Sequence, residues 1–171
     1  MQRFTPLLID AARPCRHAVR DRWFVDETYV KVAGVWRYVY RAVDQFGQVI
    51  DIYVPRRRDL VAAQRFFEIA LRNHGRPTEA PSLIRAVDEV LPDARHITAR
   101  FANNRVDSDH ARLKARLRPM RGLQRDRTAA VVIRGHAFVQ NLRRGHYELG
   151  VSARQDRLRL AAAFDELASA V

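Results

Sequence analysis

The run Arg22 to Asp44, RWFVDETYVKVAGVWRYVYRAVD, constrains this chain more than any other stretch. Val, Tyr, Trp, Phe and Thr dominate it, residue types that fit a pleated, half-buried surface and lose side-chain freedom in a helix. The run divides at Ala33-Gly34, a natural place for a tight reversal, so it predicts two antiparallel strands in a hairpin. One carboxylate, Asp26, is embedded in the first strand among Trp23, Phe24, Val25, Thr28, Tyr29, Val30 and Val32. An ionised Asp withdrawn from water needs hydrogen bonds, a cation or a metal to offset its lost hydration. Two readings follow: a metal-dependent site built on a sheet, or a charge near a strand end on the solvated face.

The elements after the hairpin are legible from punctuation and period. Gln45-Phe46-Gly47 predicts a second turn, and Gln48 to Val54 a third strand. Pro55 stops the sheet. Asp59 is an N-cap for a helix through about Arg72, with Leu60, Ala63, Phe67 and Leu71 on one face, and Gly75 ends it. A β-β-β-α order normally continues with a strand crossing back beside the first, which needs about five residues plus connections. Only Arg76 to Ala80 stand before Pro81-Ser82 opens the helical pattern SLIRAVDEVL, so the slot for a fourth strand is almost empty. Further along, Arg95 to Ala99 predicts a short strand. Helices are predicted over Asn103 to Leu117, about Arg127 to Arg144, and about Gln155 to Ala168.

The charge balance points to a partner. Lys and Arg number 31 against 19 Asp and Glu, for a formal net charge of +12, so the surface attracts polyanions and nucleic acid leads the expectation. No segment approaches the ~18 uninterrupted apolar residues of a membrane span. The expected location is the cytoplasm, with the nucleoid as its address when bound to DNA. Cys15 is the only cysteine, which excludes an internal disulfide and a cysteine-built zinc finger.

The stretch ANNRVDSDHARLKARLR carries the second chemical signal. Asp107 and His110 stand at i and i+3 and share a helix face, with Asp109 pointing elsewhere. Asp26 on a strand and Asp107 on a helix would meet over the sheet in the layout of a two-metal phosphoryl-transfer site, which normally requires a third carboxylate. The plainer reading is a solvated helix face with local ion pairs. Ten basic residues lie between Arg100 and Arg134 against Asp107, Asp109 and Asp126. Arg105, Arg112, Lys114, Arg116, Arg118 and Arg121 form the stripe best placed to hold a phosphate backbone.

Three strings, WFVDETYVKVAGVWRYVYRAVDQFGQVIDIYVPRRRDLVAAQRFF, ANNRVDSDHARLKARLRPMRGL and IRGHAFVQNLRRGHYELG, resemble the catalytic region of bacterial insertion-sequence DDE transposases, most closely insertion-sequence family six. The resemblance implies an α/β, RNase H-like (integrase-type) mixed sheet of five strands flanked by helices, here with the fourth strand shortened or lost, plus C-terminal helices. It implies an enzyme that cuts DNA at transposon ends and joins the 3′-hydroxyls to a target, with three carboxylates holding Mg²⁺ or Mn²⁺. Asp26, in VDETYVKV, matches the first of these. Asp107, in NNRVDSDH, occupies the position of the family's Glu, one methylene shorter, and His110 stands beside the ligands rather than among them. The second Asp, expected after the fourth strand, has no counterpart, and Glu79 is the nearest carboxylate. The resemblance therefore implies a transposase-derived polynucleotidyl transferase with little or no activity. The alternative is a non-catalytic DNA-binding or oligomerising protein that interferes with a full-length transposase. Relatives work as oligomers, so a homo-oligomer is expected. They also carry a helix-turn-helix before the string resembling Arg3-Phe4-Thr5-Pro6, so recognition of transposon ends is not expected here. The corresponding organisation is an N-terminal linker remnant (1–20), a catalytic core (21–150) and a C-terminal helical tail (151–171).

Overall fold

The computed structural model describes residues 4–79, 90, 104–120, 122–151 and 156–171, with the backbone alone at 104, 105, 156 and 157. They fall into two units, one of residues 19–129 and one of residues 1–18 with 130–171.

The first unit is built on an antiparallel sheet in the order β1 (Trp23–Val32), β2 (Val35–Asp44), β3 (Val49–Tyr53). Ala33 (φ 48°) and Gly34 (φ 80°) make the first reversal, both in the left-handed region that a two-residue hairpin turn of matching twist requires. The ladder runs from Val32 opposite Val35 to Trp23 opposite Asp44. Asp44 shapes the second turn: its carboxylate accepts from the N–H groups of Phe46 and Gln48, each at 2.9 Å. β3 is shorter than the expected 48–54. Within it lies a bulge, since Ala42 pairs with Asp51 and Val43 with Val49, leaving Ile50 as the extra residue.

Asp59 caps α2 (Leu60–His74), its side chain accepting from the Ala62 N–H at 2.8 Å. The helix ends at Gly75 (φ 81°), whose N–H donates to the Leu71 carbonyl at 2.9 Å. Strand alternation puts Trp23 and Val25 on one face of β1, with Tyr40 and Ala42 on the same face of β2. There they pack with Ile50 against Ala62, Ala63, Phe66, Phe67 and Ala70 of α2. Each large apolar side chain in this cluster contributes roughly 1.5–3 kcal/mol through burial. Asp26 belongs to the opposite face, with Phe24, Thr28 and Val30. The helix packed on β1 and β2 from that side is α3 (Asn104–Leu117).

Among the described residues, the fourth-strand slot holds a single step. Glu79 lies opposite Arg22 in an isolated parallel bridge, and the Trp23 N–H donates to the Glu79 carbonyl at 2.9 Å. The strand expected over 95–99 and the helical pattern beginning at Ser82 lie outside the described residues, Val90 apart, which packs on the α2 core.

α4 (Asp126–Arg143) has its first turn in the first unit and the remainder in the second. In the second unit, α1 (Phe4–Ala12) lies within the stretch expected to be a linker remnant and contacts α5 (Asp156–Ala168). Their core joins Ala12, Phe138, Leu142, Tyr147, Leu149, Ala163 and Leu167. Among the described residues no helix is long and apolar enough to cross a membrane.

Candidate metal centre

The sheet-facing stripe of α3 is unusual in composition. Val106, Asp109, His110 and Leu113 stand at i, i+3, i+4 and i+7, the spacing of one helix face, and all four are buried. Two of the four are polar, so this helix presents chemistry as well as apolar surface to the sheet.

Asp109 is matched by Arg41. The guanidinium and carboxylate form an ion pair between side chains that are 0% and 1% exposed, and Arg41 Nη1 also donates to the Asp109 carbonyl at 3.4 Å. Arg41 is the residue directly opposite Asp26 in the β1–β2 ladder. A cation next to the embedded carboxylate is thus held by a different acid. On the far side of β1, the Glu27 carboxylate is paired with Arg58.

Asp107 stands in the first turn of α3, where the helix dipole favours a negative charge. It is exposed, Asp26 is half-buried and His110 is buried. Each of the three offers a ligand atom, and these atoms all lie within 4.8 Å of one another. Asp26 and Asp107, the two residues singled out in the sequence and 81 positions apart in the chain, are therefore brought together, with His110 as a third member. Signals for His110 were present in its i+3 spacing from Asp107, but nothing local told which way the shared face would turn.

The electrostatics follow from this packing. Burial raises the Asp26 pKa to about 6, helped by the charges of Glu27 and Asp107 and by a hydrogen bond with Asp107. His110 is held down to about 4, first by burial and then by the cations Arg41 and Lys114, against the opposing pull of Asp109. It is a neutral imidazole at pH 7, with a lone pair free for a proton or a metal. Its Nε2 is fully buried and has no hydrogen-bond partner among the described residues.

Glu79 does not join this group. Its carboxylate is paired with the Arg22 guanidinium. Arg22 precedes Asp26 by four residues, roughly 13 Å along a strand.

Of the expected DNA-contacting residues, Arg112, Lys114, Arg116 and Arg118 are exposed on α3 or just beyond it. Lys114 Nζ lies 4.6 Å from the Tyr29 ring centre. The Arg105 side chain and Arg121 lie outside the described residues.

The profile of a transposase DDE domain of the IS240 type matches residues 20–146. The chain belongs to the DDE transposase family. Over 127 residues, it is 32% identical to the transposase for insertion sequence-like element IS431mec of Staphylococcus aureus strain Mu50, covering 68% of this chain and 56% of that protein. The same figures hold for the transposase for insertion sequence element IS257 in transposon Tn4003, also of Staphylococcus aureus. This DDE transposase chain thus spans a little over half the length of those relatives. Its fold is similar to the HTLV-2 integrase catalytic core domain, solved in complex with magnesium. For the dimeric form the TM-score is 0.55 at 16% identity, covering 85% of this chain and 99% of that one. For the trimeric form it is 0.52 at 16% identity, covering 74% and 90%. The RNase H-like, integrase-type α/β class expected of a DDE transposase is the class found.

Proposed function

We propose that this chain is the catalytic-core portion of an insertion-sequence transposase, shaped for metal-dependent cutting and rejoining of DNA and weakened in that chemistry. The observation that carries the reading is the convergence of Asp26 and Asp107 from strand and helix, in a chain of the DDE family. The donor set fits a divalent ion: carboxylate oxygens of Asp26 and Asp107 lie within 4.8 Å of each other, the charge of Asp107 helps to raise the Asp26 pKa, and a cation relieves that repulsion. Such an ion supplies polarisation of the scissile phosphate and activation of water or a 3′-hydroxyl. Asp26 and Asp107 would hold it as Mg²⁺ or Mn²⁺. Arg112, Lys114, Arg116 and Arg118, with Arg105 and Arg121, would grip the backbone of the DNA substrate. The core of this reading is residues 21–150, with 1–20 and 151–171 as flanking segments. Homo-oligomerisation belongs to it, in keeping with relatives of this kind.

The pairing of Glu79 supports the weakened reading. Glu79 is the acid nearest the missing second Asp in sequence, and its carboxylate is on Arg22. That same observation favours a second reading, a DNA-binding protein without catalysis that interferes with a full-length transposase. The test is nicking and joining of labelled DNA with Mg²⁺, comparing the chain with Asp26→Ala and Asp107→Ala. Metal-dependent products lost in both variants support the enzyme. Equal silence, with DNA binding that persists and weakens steeply with salt, supports the second reading.

A further inference from the structure

The buried face of α3 holds a group that a carboxylate-only ion site leaves unused. The His110 ring is 5% exposed, its Nε2 has no hydrogen-bond partner among the described residues, and a ring nitrogen lies within 4.8 Å of ligand oxygens on both Asp26 and Asp107. A buried polar atom left without a partner is costly, and a cation coordinated there would relieve that cost. Three tetrahedral ligands about 2.1 Å from one ion stand about 3.4 Å apart, so atoms lying within 4.8 Å of one another need to close by at most about 1.4 Å. The helix supplies the rigidity: Asp107 and His110 are one turn apart on α3, and Leu113 and Val106 pin its buried face.

We propose that His110 is a direct ligand of the ion held by Asp26 and Asp107, completing a one-ion site of two carboxylates and one imidazole that prefers a first-row transition-metal ion such as Zn²⁺ over Mg²⁺. The number of ions follows from the acids that the described residues bring together, Asp26 and Asp107. A two-ion centre, with ions about 3.5–4 Å apart, needs a further carboxylate between them, and Glu79 is committed elsewhere. The preference follows from the donor set. Mg²⁺ takes oxygen ligands and gives up its water reluctantly, whereas an imidazole nitrogen suits Zn²⁺, Co²⁺ and their neighbours. His110 would contribute as a neutral donor, leaving the two carboxylates to balance the charge of the ion. This inference rests on the same Asp26–Asp107 site as the proposed function and adds a ligand and a metal class to it.

The experiment titrates the full chain with Co²⁺, a spectroscopic stand-in for Zn²⁺, and follows visible absorption and proton NMR. The expected result is one Co²⁺ per chain and a strongly shifted, exchangeable imidazole N–H signal. Equimolar Zn²⁺ should displace the ion, and a hundredfold excess of Mg²⁺ should not. His110→Gln should lose the shifted signal and bind Co²⁺ at least about tenfold more weakly. Because His110 is buried, the exposed Asp107→Asn serves as a second variant, expected to weaken Co²⁺ binding with the fold intact. Saturable binding without a shifted imidazole signal in the unsubstituted chain overturns the proposal, as does equal competition by Mg²⁺ or a signal that survives His110→Gln. No saturable binding overturns it as well. The two readings also separate from each other. Mg²⁺-supported strand joining without Co²⁺–imidazole contact leaves the transposase function standing and removes the role of His110. Co²⁺ held through His110, with no DNA chemistry under any ion, does the reverse.

Discussion

Arg41 and Asp109 form an ion pair wholly withdrawn from solvent, and it is this pair that ties α3 to the middle of the sheet beside Asp26. Removing one partner of such a pair strands the other charge, a loss of about 3–5 kcal/mol. Asp109→Ala is therefore expected to destabilise the chain by that amount in chemical denaturation. Asp107→Ala, only two residues earlier but exposed, should stay within about 1 kcal/mol of the parent. Equal effects at the two positions would mean that the Arg41 pair does not anchor the helix.

Asp26 and His110 give opposite pH responses. Asp26 is raised from 3.8 to about 6, so the folded state holds its proton longer than the unfolded state, and its contribution to stability is lost as pH rises from about 4 to 6. His110 is lowered from 6.5 to about 4, so the unfolded state binds the extra proton, and its contribution is gained as pH rises over about 4 to 6.5. In the metal-free chain the two nearly offset each other. Asp26→Asn should expose a rise in stability over this window and His110→Gln a fall, read from melting temperatures at several pH values. The groups near Asp26 in this balance are Asp107 and His110, Arg41 across the ladder and, by its charge from the other face of β1, Glu27.

The hairpin turn has room for improvement. Ala33 sits at φ 48°, a conformation that costs an L-residue with a Cβ about 1–2 kcal/mol, whereas Asn tolerates it well. Ala33→Asn, which creates the favoured Asn-Gly pair with Gly34, is expected to stabilise by about 0.5–1 kcal/mol. Thermal unfolding measures it; a loss of stability would argue against this turn.

The exposed basic residues of α3 should act as phosphate contacts rather than readers of sequence. Arg112→Ala, Arg116→Ala and Arg118→Ala are each expected to weaken DNA binding similarly across sequences and to reduce the salt slope by about one. Fluorescence anisotropy over a range of salt concentrations checks this. A change in sequence preference without a change in slope would place these residues at base edges.

Much of the architecture was legible because its signals are local. The alternation of Trp23, Val25 and their partners, the Ala33-Gly34 reversal, the Asp59 cap and the Gly75 stop each involve residues within a few positions of one another. The short fourth-strand slot was also visible from a count of residues, and among the described residues it holds the Arg22–Glu79 bridge. Asp109 was read as pointing away from the face shared by Asp107 and His110, yet it is buried on the same face as His110. Its destination, a buried cation on β2, was not readable.

The sequence by itself determined the three described strands, the helices α2 to α5 and the family, and it singled out the acids at positions 26 and 107, because residue period and string identity are properties of the chain in one dimension; the helix Phe4–Ala12 was not read from it. Tertiary structure alone decided that Arg41 answers Asp109, that Glu79 is held at Arg22 short of Asp26, and that a ring nitrogen of His110 comes within reach of both acids. The reason is that burial and pairing energies depend on distances between segments far apart in the chain. Those distances are set only when α3 settles on the sheet.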